Sequence, residues 1–252
     1  MMFQTRLIAS LAAAVVVLFG FLKPAVAITP SIEIKSDGFR NESSLSIVAS
    51  NGNSRNQTFN AVQKNGYRYE GNTLKTEVLY LRSQSADTES ARNWGAGLRY
   101  ERLLTERLSA YIGQGLINDR YAGIDLRYNS DIGARYNLYS TDVFTWAAEA
   151  GYRYMSEHRV EPPDVFESLG RLYTETNWKF SETASTGLWI EFLPNFSRPE
   201  GYMVNAEVSL NSFLTSILSL KVAYLVKLNN EPPPTAPSKY DTLISTALVA
   251  NY

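Results

Sequence analysis

The chain has 252 residues, no cysteine, one histidine, a net charge of −1 and a mean hydropathy of −0.21. These values exclude a disulfide scaffold, a thiolate metal site, a bundle of apolar transmembrane helices and a general nucleic-acid binder. They leave room for a membrane barrel, whose strands alternate lipid-facing and lumen-facing residues and so average to a polar value.

Residues 1–27 read as an export signal that is cleaved: Arg6, the apolar run from Leu7 to Leu22, and Ala25-Val26-Ala27 just after Pro24. The run is also long enough for a single helical anchor flanked by Lys23, and the small-residue site favours cleavage. With no cysteine, the segment is not a lipidation signal. Residues 28–41, with Pro30, Asp37 and Gly38, form a short periplasmic lead-in, and residues 42–252 are the folded unit.

From Asn41 to Ser50 the chain alternates, with Leu45, Ile47 and Ala49 on one face. Asn51-Gly52 is a strong hairpin signal. The return, Gln57 to Tyr69, puts Phe59, Ala61, Tyr67 and Tyr69 opposite Thr58, Asn60, Lys64 and Arg68, but Gln63 and Asn65 share the apolar parity. A tight turn at Gly71-Asn72 leads to Leu74, Val78 and Tyr80 opposite Lys75 and Glu77, then a polar loop from Gln84 to Ser90. Trp94, Ala96, Leu98 and Tyr100 oppose Asn93, Arg99 and Glu101, and a fifth strand over Arg107–Asn118 has undecided parity. The sixth is the clearest: Tyr128, Ser130, Ile132, Ala134, Tyr136 and Leu138 alternate with Arg127, Asp131, Gly133 and Arg135. In the seventh, Phe144, Trp146, Ala148, Ala150, Tyr152 and Tyr154 alternate with Glu149, Gly151 and Arg153. A loop with Ser156, His158 and Glu161-Pro162-Pro163 follows. Next, Leu172, Trp178 and Phe180 oppose Arg171, Glu175 and Lys179; Leu188, Ile190 and Phe192 oppose Glu191; Val204, Val208 and Leu210 oppose Glu207; Val222, Tyr224 and Val226 oppose Lys221 and Lys227. A proline-rich loop, Glu231–Ser238, precedes the last strand, where Ile244, Thr246, Leu248, Ala250 and Tyr252 share a face.

This pattern predicts an all-β fold: a single transmembrane antiparallel up-and-down β-barrel of about twelve strands. Short turns alternating with longer loops place both termini on the periplasmic side. The outward face carries interfacial aromatics, Trp94, Tyr100, Tyr128, Tyr136, Trp146, Tyr152, Tyr154, Trp178 and Tyr252. Tyr252 marks the closing strand, which must pair with Leu45, Ile47 and their neighbours.

Asp119-Arg120-Tyr121-Ala122-Gly123-Ile124-Asp125-Leu126-Arg127 is a specific run, flanked by Leu98-Arg99-Tyr100-Glu101 and Gly151-Tyr152-Arg153-Tyr154. With Gly52-Asn53-Ser54 and Thr246-Ala247-Leu248-Val249-Ala250-Asn251-Tyr252, the chain from Glu42 onward resembles the uncharacterised family of salt-induced outer-membrane proteins. The resemblance implies an outer-membrane barrel of unassigned activity, with no catalytic residues to carry over and a C-terminal strand read by the barrel-assembly machinery. Tyr252 stands where phenylalanine is more usual.

The opposite parity then lines a lumen with Arg99, Glu101, Asp125, Arg127, Asp131, Arg135, Glu149, Arg153, Arg171, Glu175 and Lys179. Both signs are represented, so the set is either the wall of a narrow pore for small solutes or an internal salt-bridge network that plugs the barrel. The expected partners are outer-membrane lipid, the assembly machinery and small solutes, with no nucleic acid, cofactor or metal. Ser156 and His158 would be the residues of an outer-membrane lipid hydrolase, but neighbours on one loop make poor triad geometry. A soluble β-rich protein holding an apolar ligand would need the apolar parity to face inward.

Overall fold

The computed structural model describes residues 32, 34, 36–50, 56–234, 236 and 238–252. The export signal and the Asn51-Gly52 turn lie outside them. Twelve strands form the chain: β1 (Gly38–Ser50), β2 (Asn56–Tyr69), β3 (Asn72–Ser85), β4 (Thr88–Leu103), β5 (Leu108–Asp119), β6 (Ile124–Ser140), β7 (Phe144–Arg159), β8 (Val165–Ser181), β9 (Ala184–Leu193), β10 (Met203–Phe213), β11 (Leu218–Asn229) and β12 (Tyr240–Asn251). Each pairs antiparallel with its neighbours, and β12 pairs with β1 to close the barrel. Closure satisfies the backbone groups that an open sheet would expose at its edges.

Two-residue turns set the register of two hairpins. Glu70 and Gly71 have φ of 47° and 74°, and Ala86 and Asp87 have 50° and 62°. Left-handed φ at both central residues matches the twist of the flanking strands. The polar loop expected over Gln84–Ser90 is therefore corrected: β3 and β4 run through it up to the Ala86-Asp87 turn. Past the apolar band a strand borders water on both faces, so its sequence loses the alternation while its hydrogen bonds persist.

One end of the barrel carries the C-terminus and the start of β1, and is called here the termini end. The opposite, loop end carries the longer connections, over 160–164, 194–202 and 230–239. β1 begins at Gly38, so the lead-in of 28–41 runs into the barrel wall. Ile32 is only 4 % exposed, and Arg68 donates to the Ile34 carbonyl at 3.0 Å. A Cβ at Gly66 would collide with Ile34, so glycine on β2 makes room for the lead-in inside the termini end.

The outward face is apolar. Tyr67, Tyr69, Tyr100, Tyr136, Trp146, Trp178 and Tyr252 lie exposed toward the termini end, and Phe59, Tyr80, Trp94, Tyr128, Tyr154 and Phe166 toward the loop end. Tyr152 departs from the expected belt: it sits mid-strand on β7, where its hydroxyl is 2.7 Å from Ser168 Oγ. Inward, the charged residues gather at mid-height. Nearer the loop end Met155, Leu169, Leu193 and Met203 pack as one apolar cluster.

The closing seam is short. Asn41 and Tyr252 exchange backbone hydrogen bonds of 2.8 and 3.2 Å, and the register runs from Glu42↔Asn251 to Leu45↔Leu248. Leu45 thus meets the closing strand as expected. Among the described residues the β1–β12 register ends there, so Ile47 keeps Phe59 of β2 as its partner.

Candidate functional site: the barrel lumen

The inward parity of β4 to β8 builds a charged layer across the lumen. Register places Asp131 directly opposite Arg153 and Arg135 opposite Glu149 on β6 and β7. Arg153 grips Asp131 with two hydrogen bonds of 2.7 Å and reaches Glu191 at 3.2 Å. Such paired donors in one plane are what a guanidinium offers a carboxylate.

Glu149 is the centre. It accepts two bonds from Arg99, at 2.9 and 2.8 Å, one from Arg135 at 2.9 Å and one from Arg171 at 2.5 Å. Arg99 comes from β4, three strands away, so this contact spans the interior. Arg99 Nε also lies 2.7 Å from Glu101 Oε1 as an ion pair, although off the hydrogen-bond direction. Lys75 donates to the same oxygen at 3.0 Å. Arg171, only 1 % exposed, also donates to Glu191 at 2.7 Å and to the Tyr111 hydroxyl at 2.9 Å. Arg135 donates to Glu175 at 2.5 Å, and Tyr173 to the other oxygen of Glu175 at 2.8 Å.

Tyr111 fills the middle of the layer. The Arg99 guanidinium sits 3.7 Å from its ring centroid, which adds a cation–π attraction in a dry site. Gly133 and Gly151 face each other on β6 and β7. A Cβ on Gly133 would lie 2.6 Å from the Tyr111 hydroxyl oxygen, and one on Gly151 would lie 2.8 Å from it. The glycine pair is therefore the hollow that admits the phenol.

A second cluster occupies the other wall. Lys64 lies 3.5 Å from Glu42, and Lys221 donates to Glu207 at 2.9 Å. Glu77 is buried close to both lysines. Below the layer, at the termini end, a cavity of about 750 Å³ is lined by Arg68, Lys75, Glu101, Arg107, Arg135 and Glu175 among others. Above it, a pocket of about 90 Å³ lies among Asp119, Arg127, Asn129, Lys227 and Asp241.

Most residues singled out in the sequence therefore meet in one network. Arg127 pairs with Glu157 a little nearer the loop end, where Arg159 donates to the same carboxylate at 2.7 Å. That pair stands apart from the network, and two further residues do not join it either. Asp125 is exposed and sits 3.5 Å from Arg120, because bulges at Ile117/Asp119 and Ile124/Leu126 break the alternation around it. Lys179 is exposed toward the termini end of β8. The network's unforeseen members are Tyr111, Tyr173 and the Gly133–Gly151 pair. Tyr111 was hidden by the mixed parity of β5, although its neighbour Ile112 is exposed and so fixes Tyr111 as inward.

His158 lies on β7 rather than in a loop. Its Nδ1 is 2.8 Å from Asp164 Oδ2, and no hydrogen bond joins it to Ser156 among the described residues. That bond and the backbone N–H of Arg159 hold the Asp164 carboxyl below the ordinary carboxylate range. Among the described residues no group of three or more histidines and carboxylates is placed to hold a metal ion.

Residues 43–252 match the family described as "Protein of unknown function, DUF481". The chain belongs to this family. No curated protein matches it. Among solved structures, the COG4313 outer membrane channel from Pseudomonas putida F1 aligns with a TM-score of 0.53 at 12 % identity, over 90 % of this chain and all (100 %) of that one. The NanC porin aligns at 0.47 and 7 % identity, over 85 % and 98 % of the two chains, and the KdgM porin at 0.45 and 12 %, also over 85 % and 98 %. At such identities the likeness is one of fold: a closed barrel of the outer-membrane type.

Proposed function

We propose that this chain is an integral outer-membrane barrel acting as a channel for small polar solutes, held closed at mid-height by its Arg–Glu layer. One observation carries the reading. A cavity of about 750 Å³ enters from the termini end and stops on Arg135, Glu101 and Glu175, where the buried layer begins. A barrel built only as a wall needs no such vestibule. The exposed apolar face with aromatics toward both ends suits a bilayer, with the termini end in the periplasm and the loop end outside. Residues 1–27 would deliver the chain, and the closing strand would engage the assembly machinery.

The second reading is a plugged structural barrel, favoured by the near-complete burial of Arg171 and Glu149, whose side chains are each 1 % exposed. The lipid-hydrolase reading is not supported, since Asp164, not Ser156, engages His158.

Membrane fractionation and heat-dependent gel mobility test the placement, and recovery as a soluble periplasmic protein would remove it. Planar-bilayer recording tests the channel. The unmodified barrel gives small or rare conductance steps, and a Glu149→Ser, Arg171→Ser double variant gives larger ones. If the folded double variant conducts no better, the barrel is a structural plug.

A further inference from the structure

The loop-end pocket of about 90 Å³ brings two opposite charges to one space without joining them. Asp119 ends β5 and Lys227 lies on β11, six strands away in either direction round the ring. Both line the pocket, from facing walls. Lys227 shares the inward parity of the buried Ala223 and Leu225. Among the described residues Lys227 makes no ion pair and no hydrogen bond. Asp119 takes the Ala122 N–H on one carboxylate oxygen at 3.1 Å, and its other oxygen bonds to nothing among the described residues.

Most other charges at the pocket are committed. Glu157 holds Arg127, Asp131 and Glu191 hold Arg153, and Asn230 Oδ1 accepts from Lys239 at 3.1 Å. Glu191 also accepts from Arg171 and Asn205. Asp241 stands opposite Lys227 in register and lines the same space. Charges withdrawn from water need partners. A neutral solute would leave both Lys227 and Asp119 without one. A plain anion that reached Lys227 would also meet Asp119 and Asp241, and a plain cation that reached Asp119 would also meet Lys227 and Arg127. A solute that bears both charges satisfies both walls. The pocket has room for roughly six to nine atoms the size of a water oxygen, at ~10–15 Å³ each. Met155, Leu193 and Met203 give it an apolar side.

We propose that this pocket binds a small zwitterion, an amino carboxylate whose carboxylate pairs with Lys227 and whose ammonium pairs with Asp119. Its carbon atoms lie against the methionine and leucine side chains. Both contacts are charge-assisted hydrogen bonds, which are stronger than bonds between neutral groups. The site goes beyond the channel reading. It is a binding site near one mouth of the lumen and stands whether or not the Arg–Glu layer beneath it opens.

Saturation-transfer NMR titrations on the full barrel in detergent, with folding checked by heat-dependent gel mobility, test this. The probes are alanine, β-alanine and 4-aminobutanoate, three zwitterions of increasing charge separation. At least one should bind, and propionate and propylamine, which carry one charge each, should bind about tenfold more weakly or not at all. Asp119→Asn keeps an acceptor for the Ala122 N–H and should move the preference to propionate. Lys227→Met should move it to propylamine. Lys239→Met should leave the affinity for the zwitterion unchanged. Binding of none of the three zwitterions to the folded, unmodified barrel overturns the proposal, as does equal binding of propionate or propylamine. Both folded variants keeping the original preference would overturn it too. Planar-bilayer recording reads the channel proposal separately, so either can fail without the other.

Discussion

The two walls of the lumen solve the same problem with different side chains. Across β4–β8 the central charges are arginines, each shared between two or more carboxylates, and those side chains are 1–16 % exposed. Across β1, β2, β10 and β11 they are lysines in single pairs, and those side chains keep 14–26 % exposure. A guanidinium presents its donors in a fixed planar fork, whereas an ammonium turns three donors on a flexible stem. The arginine wall is therefore the harder of the two to rearrange.

Breaking the arginine wall should cost most. Glu149→Ala leaves Arg99, Arg135 and Arg171 without their common acceptor, and removing one partner of a buried pair costs ~3–5 kcal/mol. Urea unfolding in lipid vesicles reads the loss, and a loss below ~1 kcal/mol would show that water already reaches the layer. Next comes Gly133→Ala, whose methyl group meets the Tyr111 hydroxyl and the Ala150 carbonyl oxygen, each at 2.6 Å. Overpacking of this kind costs about 1–3 kcal/mol, and the same unfolding assay should show it relieved only in part when Tyr111 is also changed to Ala, because the contact with the Ala150 carbonyl stays. Tyr111→Phe alone removes the acceptor of the Arg171 bond and should cost about 1 kcal/mol.

Lys221→Met tests the other wall. Its partner Glu207 is partly wet, so the loss should stay below ~1 kcal/mol. Equal stability losses on both walls would erase the comparison. The smallest effect belongs to Asp164. Its carboxyl is held below its ordinary value, so its contribution is complete above the unfolded-state value and fades as pH falls through the lowered one. Protection of the 160–164 segment from protease should decline over that acidic window, and Asp164→Asn should abolish the dependence.

Much of this was legible in the chain because a barrel writes its two faces on alternate residues. Tyr128 to Leu138 show the parity of β6, and parity alone put Asp131, Arg135, Glu149 and Arg153 on the inward face; the register that sets Asp131 opposite Arg153 and Arg135 opposite Glu149 depends on a bulge at Asn137/Tyr139 that parity does not announce. The contact of Arg99 with Glu149 was not legible, since it crosses the lumen between strands that are not neighbours and depends on the width of the ring. Asp125 was misread because bulges insert residues that shift parity, and nothing in the residue types announces them. The apolar inward cluster around Leu169 was hidden because Leu169 stands on β8 between two charged inward residues, Glu167 and Arg171. Gln63 and Asn65 looked like noise in an otherwise regular strand, yet their side chains bond each other and reach Ser43 and Asn41 on β1.

The joint between the first and last strands has a consequence for how the molecule is made. Every other pairing in the ring is local in sequence, formed across one turn or loop. The bonds between Asn41 and Tyr252 close a loop that contains nearly the whole folded chain, and the entropy of that closure is met only after all other strands are in place. Until then the molecule is a curved sheet with two raw edges, at risk of pairing with another sheet instead of with itself. Tyr252, through its two backbone bonds to Asn41, is thus half of the contact that closes the ring.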